Sequence, residues 1–529
     1  MGLNRKSPQA CAMATTLLIS LWGCTSPDIQ ETKPSAELSD TAAEALKPNI
    51  IIFYADDLGY GDLSAYGATA VTTPNIDALS AHGIRYTDAH SPAATCTPSR
   101  YSLLTGEFAF RNNAAILPGD APLIIDPERP TLPKMLQQVG YTTAVVGKWH
   151  LGLGRGEVDW NQAVKPGPLE IGFDYSFLIP ATGDRVPTAY LENHHIVGLD
   201  PNDPIEVSYE TNISDRPLGT EHPELLKQQA DLQHSGSIIN GISRIGWMRG
   251  GKDAEWRDED FPIVMTDKAI SFIDENQSAP FMLFFPFNDI HVPRVPNERF
   301  QGATDMGPRG DAIVQMDWMT GRIIDALEKR GLMDNTLIIF SSDNGPVLDD
   351  GYADQAVERI GDHQPAGPFS GGKYSVHEGG TRVPMITYYA GQKRTGESDA
   401  LISHIDFYAS LAKMVGYPLA NTEAIDSENI LPALMDATAD GREEMLEEAF
   451  AIGLRQGNWK YIAPFSGDLP DWLANKEVRT GIGSEPLLYN LDEDLKEQHN
   501  LADAHPERTR QMAARLEAIK QRTERESEQ

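Results

Sequence analysis

Four stretches of the chain are apolar without alternation. They are Asn49-Ile50-Ile51-Ile52-Phe53-Tyr54, Tyr141-Thr142-Thr143-Ala144-Val145-Val146, Phe281-Met282-Leu283-Phe284-Phe285 and Thr336-Leu337-Ile338-Ile339-Phe340. A strand with one wet face alternates, whereas a strand covered on both faces does not. The pattern predicts parallel strands sandwiched between helices. Each run leads into polar residues: Asp56-Asp57, Gly147-Lys148-Trp149-His150, Asn288-Asp289-Ile290-His291 and Ser342-Asp343-Asn344-Gly345. In open α/β sheets, sites form beyond the carboxyl ends of strands. Clusters far apart in the chain are therefore expected on one rim.

A helix is expected from Cys96 through Thr105. Pro98 suits a first turn, and Gly106 marks a stop. Cys96 would then sit at a helix N-terminus, where free N–H groups favour negative charge. Arg100 lies one turn on and can reach back toward it. Of the three cysteines, Cys11 and Cys24 fall in the first 24 residues. Cys96 thus has no partner in the folded body, and is either an inert buried thiol or a site of chemistry.

At 529 residues the chain can bury a large core, and two unequal domains are expected. Its formal net charge of -33 argues against nucleic acid or an anionic membrane surface as the main partner. An anionic substrate would need a local basic pocket. Arg100, Lys148 and Lys373 can cradle an anion, and His150 and His291 can move protons. Lys148 and His150 share a side if the segment is extended. Asp56, Asp57, Asp343 and Asn344 offer only oxygen ligands, which select calcium or magnesium over zinc.

Residues 1–24 read as an export signal, with Arg5 and Lys6 before the apolar stretch Thr15–Leu21. Leu21-Trp22-Gly23-Cys24 resembles a bacterial lipobox, which makes Cys24 a candidate for lipidation; ordinary signal cleavage nearby is the other outcome. Residues 25–47 read as a linker. The expected location is periplasmic or anchored at the outer membrane of a bacterium, with no membrane contact beyond that anchor.

Cys96-Thr97-Pro98-Ser99-Arg100 followed by Leu103-Leu104-Thr105-Gly106 resembles the signature of the formylglycine-dependent sulfatases, within the alkaline-phosphatase superfamily. The likeness extends through Ala55-Asp56-Asp57-Leu58-Gly59-Tyr60-Gly61-Asp62, Gly147-Lys148-Trp149-His150, Ser342-Asp343-Asn344-Gly345 and Glu378-Gly379-Gly380-Thr381-Arg382. It implies an α/β fold: a large, mixed, mostly parallel sheet sandwiched by helices, with a smaller C-terminal α+β subdomain. The implied boundaries are 48–440 for the catalytic domain and 441–529 for the subdomain.

The resemblance also implies a mechanism. A formylglycine-generating or anaerobic sulfatase-maturing enzyme converts Cys96 to formylglycine. Calcium is held by Asp56, Asp57, Asp343, Asn344 and the modified Cys96. One hydroxyl of the hydrated aldehyde attacks sulfur, while Arg100, Lys148 and Lys373 stabilise the sulfate oxygens. His291 protonates the leaving alcohol, helped by Lys373. His150 then takes the proton of the second hydroxyl, and sulfate is expelled.

Residues 172–187, including Pro180-Ala181-Thr182-Gly183-Asp184-Arg185, resemble bacterial carbohydrate sulfatases. That likeness implies a sulfated oligo- or polysaccharide and leans towards a galactose or N-acetylgalactosamine 6-sulfate. A 4-sulfate or a glucosamine sulfate stays open. Thr182, Asp184, Arg185, His195 and His377 are the candidate sugar contacts, and residues about 205–260 are expected as an insertion over the pocket. Two rival readings remain: a formylglycine-dependent phosphodiesterase or phosphonate monoester hydrolase, and a non-catalytic lipoprotein that binds sulfated glycan.

Overall fold

The computed structural model describes residues 47–476 and 478–525. The export signal, Cys24 and nearly all of the linker fall outside them. Ten strands form the main sheet: β1 (Asn49–Ala55), β2 (Ile84–Tyr86), β3 (Thr142–Lys148), β4 (Tyr175–Ile179), β5 (Leu191–Glu192), β6 (His195–Ile196), β7 (Phe281–Pro286), β8 (Thr336–Ser342), β9 (Met385–Tyr388) and β10 (Gly396–Ser398). Their spatial order is β10-β2-β9-β8-β1-β7-β3-β4-β5-β6. The five central strands β8, β1, β7, β3 and β4 are mutually parallel, and antiparallel pairing enters on both sides of them. The fold class expected from the unalternated runs is the one observed.

Every residue of β1 is buried. Ile50, Ile52 and Tyr54 pack in one core with α2 (Cys96–Thr105), α3 (Leu132–Gln138) and α6 (Phe407–Val415). Ile51, Phe53 and Ala55 pack in a second core with α1 (Pro74–His82), α4 (Phe261–Glu275) and α5 (Pro308–Lys329). Successive side chains of a strand point to opposite faces, so a doubly covered strand must be apolar at each position. Burying each isoleucine contributes roughly 1.5–3 kcal/mol. Beyond these layers, β11 (Glu444–Glu448), β12 (Ile452–Gln456), β13 (Trp459–Ile462) and β14 (Leu487–Asn490) form an antiparallel sheet packed against α7 (Pro506–Lys520). No helix among the described residues is long and apolar enough to cross a membrane.

One buried ion pair ties α5 to the loop after β1. Arg309 donates from Nη1 and Nη2 to the two oxygens of Asp62 at 2.8 and 2.7 Å, and both side chains are fully buried. Burial alone would raise the Asp62 carboxyl; the Arg309 guanidinium more than offsets this and holds it below its usual range. Arg309→Met is expected to destabilise the protein by about 3–5 kcal/mol, because Asp62 would be left charged and buried with only the Gly59 N–H and His363 as partners. Urea unfolding at neutral pH checks this.

Candidate active site

The strands β8, β1, β7 and β3 are consecutive neighbours, so their carboxyl ends fall on one rim. Asp56 and Asp57 leave β1, and Asp343 and Asn344 leave β8. The Asp343 N–H donates to Ala55 O at 2.9 Å, which keeps the two acidic turns in register. Asp57 has φ 61°, a left-handed conformation that costs a non-glycine residue about 1–2 kcal/mol. His150 (φ 54°) and Tyr374 (φ 74°) share it. Such strain persists only where surrounding contacts over-determine the backbone.

Gly147 shows how tightly the rim is built. It has φ 136°, and a Cβ there would lie 1.9 Å from Pro286 O of β7. Gly147→Ala is expected to cost about 3 kcal/mol of stability. It should also displace Lys148 and His150 from the rim. Thermal unfolding and a crystal structure of the variant check both effects.

All ten residues of α2 are buried, and Gly106 (φ 67°) ends it, as the sequence predicts. The helix sets Cys96 beside the acidic turns, with Sγ 3.7 Å from Asp56 Oδ1. Burial pushes the thiol up to about 12, against the pull of the Lys148 and Lys373 ammoniums. The unmodified sulfur is thus a protonated thiol and a poor nucleophile.

The carboxylates and cations interlock. Arg100 donates to Asp343 Oδ2 from Nε at 3.0 Å and from Nη2 at 2.7 Å, and to Lys148 O from Nη1 at 3.0 Å. Lys148 Nζ pairs with Asp56 Oδ2. Asn344 Nδ2 donates to Asp57 Oδ1 at 2.7 Å, and Lys373 Nζ donates to Asp57 Oδ2 at 2.9 Å. Ligand atoms of Asp56, Asp57, Cys96 and Asp343 lie within 4.8 Å of one another. Asn344 Oδ1 is buried and has no hydrogen-bond partner among the described residues. An unpartnered buried amide oxygen, on a side chain whose Nδ2 touches Asp57, is a donor that a hard divalent cation would satisfy. The residues therefore fit calcium or magnesium.

The two imidazoles are held in opposite tautomers by main-chain acceptors. His150 Nε2 donates to Leu117 O at 2.9 Å, which leaves a buried, unpartnered Nδ1. His291 Nδ1 donates to Val292 O at 2.6 Å, which leaves Nε2 for the cavity. Burial holds both rings well below the usual imidazole range; Arg185 and Lys148 add to this at His150, and Lys148 and Lys373 at His291.

A cavity of about 610 Å³ opens above this cluster. Cys96, His150, Asp184, Arg185, His291 and Lys373 line it. Asp56, Asp57, Arg100, Lys148, Asp343 and Asn344 sit fully buried one layer behind. Arg185 Nη1 donates to Asp184 Oδ1 at 2.8 Å and to Thr182 Oγ1 at 2.6 Å. Thr182 is fully buried and bonds Asp184, so it supports that pair rather than lining the cavity.

The structure places the other two candidate sugar contacts elsewhere. His195 lies exposed on β6 at the margin of the sheet, away from the carboxyl ends that carry the site. His377 is buried against Glu497, with Nδ1 3.1 Å from Oε1, and packs on Tyr489. Other residues enter instead. Tyr209, His234 and Ile245, from the expected insertion, line the cavity, as do Asp350 and Tyr374. Trp256 of the same insertion is buried with Tyr190 and Phe261. Glu448, Phe450, Trp472 and Lys476 come from the C-terminal part of the chain. The partly polar 205–260 stretch signalled the first group; nothing local signalled the last.

The family model described as Sulfatase matches residues 48–417. The chain is 47% identical over 487 residues to an N-acetylgalactosamine-6-O-sulfatase of Bacteroides thetaiotaomicron, covering 91% of this chain and 95% of that protein. It is 29% identical to human arylsulfatase A, covering 88% and 86% of the two chains. A solved structure from work on the metabolism of multiple glycosaminoglycans by Bacteroides thetaiotaomicron superposes with a TM-score of 0.88 at 47% identity, over 90% of this chain and 100% of that one. A buried cysteine at a helix start, carboxylate and amide oxygens behind it and two imidazoles on the same cavity agree with these matches: the chain belongs to the sulfatase family and is a sulfuric ester hydrolase.

Proposed function

We propose that the protein removes the 6-O-sulfate from N-acetylgalactosamine or galactose units of a sulfated oligo- or polysaccharide, using formylglycine at position 96 and a bound calcium ion. The single observation that carries this is the placement of Cys96 between the oxygen-ligand cluster and a sugar-sized cavity walled by Asp184 and Arg185. The likeness to an N-acetylgalactosamine-6-O-sulfatase supports the choice of sugar and position. A formylglycine-generating or anaerobic sulfatase-maturing enzyme is the implied partner. Lipidation at Cys24 would hold the enzyme at the cell surface, where polymeric glycan is met.

Calcium held by Asp56, Asp57, Asp343, Asn344 and residue 96 would supply positive charge against a sulfate oxygen, and formylglycine would supply the nucleophilic hydroxyl. The chain's own groups do the rest. Arg100 and Lys148 hold Asp343 and Asp56 behind residue 96, where full burial lets their charge act with little solvent screening. Lys373 reaches the cavity and binds the ester group directly. His150, which lines the same cavity as residue 96, keeps an unprotonated Nδ1, because its other nitrogen is committed to Leu117 O. His291 presents Nε2 to the departing sugar oxygen. Burial and the Lys148 and Lys373 ammoniums keep that ring neutral in the free enzyme, so Nε2 takes up a proton as the substrate anion binds and then passes it to the leaving alcohol. Asp184, kept ionised by Arg185 despite its burial, accepts from a sugar hydroxyl.

Sulfate release from defined saccharides tests the proposal. N-acetylgalactosamine 6-sulfate should turn over faster than the 4-sulfate, glucosamine 6-sulfate or any phosphate diester; a preference for one of the others overturns it. Asp184→Ala is expected to lower kcat/KM on the preferred sugar by about 100-fold or more, since a buried hydrogen-bond partner of the substrate is lost. His195→Ala should leave kcat/KM unchanged. Equal effects of the two substitutions would remove Asp184 from sugar recognition.

A further inference from the structure

The loop that follows β8 carries Asp350, a buried carboxylate that is not among the calcium ligands proposed above; one of its oxygens lies within 4.8 Å of an Asp57 oxygen and a His291 ring nitrogen. Its Oδ2 accepts from Lys373 Nζ at 2.9 Å, and its Oδ1 lies 3.1 Å from Lys476 Nζ. The Tyr374 hydroxyl donates to the same carboxylate at 3.1 Å. Lys373 donates in addition to Asp57 Oδ2 at 2.9 Å. Charges therefore alternate from the buried layer out along the cavity wall: Asp57 behind it, then Lys373, Asp350 and Lys476.

An ammonium has three N–H donors and no acceptor. Asp57 and Asp350 occupy two of those on Lys373. The side chain is only 2% exposed, yet it lines the cavity. One donor is left, and two fixed acceptors determine its direction on a tetrahedral nitrogen. The backbone beneath is equally held. Lys373 N–H donates to Pro346 O at 2.9 Å, and Tyr374 N–H donates to Ala94 O at 2.8 Å. What remains free is the flexible four-carbon stem. Held by Asp57 alone, the ammonium could swing about that contact, and Asp57 also serves Asn344. Asp350 supplies the second point that stops the swing.

We infer that Asp350 is a positioning residue that aims the remaining N–H of Lys373 at the ester group, and that Lys476 and Tyr374 hold Asp350 for this task. The C-terminal part of the chain thereby takes part in the reaction through Lys476, although it supplies none of the nucleophile, the candidate metal ligands or the two histidines. The inference rests on the proposed role of Lys373. It does not depend on which sugar is cleaved, so any sulfate ester that the matured wild-type enzyme accepts serves for the test, and a wrong sugar assignment would show in the wild-type screen alone.

The experiment compares matured wild-type enzyme with Asp350→Asn, Asp350→Ala and Lys476→Ala. Asp350→Asn keeps the shape, and is expected to lower kcat by about 100-fold, the cost of an ångström-scale misplacement, with little change in KM. Lys476→Ala should lower kcat by less, because Asp350 keeps two of its three partners. Added formate should restore part of the activity of Asp350→Ala, which a merely structural carboxylate would not allow. A crystal structure of Asp350→Asn should show the Lys373 ammonium displaced from its place beside Asp57. Wild-type kcat in Asp350→Asn, an undisplaced Lys373, or failure of formate to rescue Asp350→Ala overturns the inference. Failure of both Asp350 variants to fold also overturns it, since the carboxylate would then be structural.

Discussion

Alanine at position 96 is expected to reduce sulfate release by about 10⁶-fold while leaving the fold intact, as removal of the nucleophile does in hydrolases whose residues act as a unit. Cys96 is buried at the start of α2, but its sulfur faces the cavity and not either apolar core. Deleting it removes one atom from a cavity wall, which costs little packing. Mass spectrometry of the peptide bearing residue 96 supplies the matching observation. In matured wild-type enzyme the sulfur should be replaced by a carbonyl oxygen, and activity across preparations should follow the converted fraction. Full activity in enzyme whose Cys96 remains a thiol would refute the formylglycine proposal. Loss of folding in Cys96→Ala would point to the inert-thiol alternative.

Removal of divalent metal should have the next largest effect. Chelation followed by dialysis is expected to lower turnover by about 10³-fold or more, in line with losing the main electrostatic stabiliser of the reacting group. Calcium should restore it better than zinc, because the ligands are carboxylate and amide oxygens. The same ion should raise the melting temperature. An ion held only by the folded arrangement of Asp56, Asp57, Asp343 and Asn344 would, at a thousandfold excess over its Kd, add about 4 kcal/mol by linkage. Asn344→Ala should weaken that stabilisation by removing a buried oxygen that has no hydrogen-bond partner among the described residues. Unchanged activity and unchanged melting after chelation would exclude a metal role for the cluster.

Much of this site is legible in the order of residues along the chain. A strand buried on both faces must be apolar throughout, and β1, β3, β7 and β8 announce themselves in that way. A polar cluster after such a run lies at a carboxyl end, so Asp56, His150, His291 and Asp343 belong on one rim. Pro98 and Gly106 likewise bracket α2, because each residue has few conformations that suit its neighbours.

Loop side chains behave differently. His195 and His377 are plausible sugar contacts by residue type, yet one lies exposed at the sheet margin and the other turns inward to Glu497. Asp350 and Lys476 carry no motif at all. Their meeting joins segments more than a hundred residues apart, and nothing in either neighbourhood encodes it.

The order of amino acids alone is enough to specify the doubly covered sheet, the rim on which the polar turns gather and the helix that begins at Cys96. These depend on local periodicity and backbone restriction, which short stretches of chain carry within themselves. The assembled fold selects which cations meet which carboxylates, which nitrogen of each imidazole stays free, and which distant segments close the cavity. Those choices are made by packing and hydrogen-bond completion between remote segments, where a buried polar group must find whatever partner the fold brings to it.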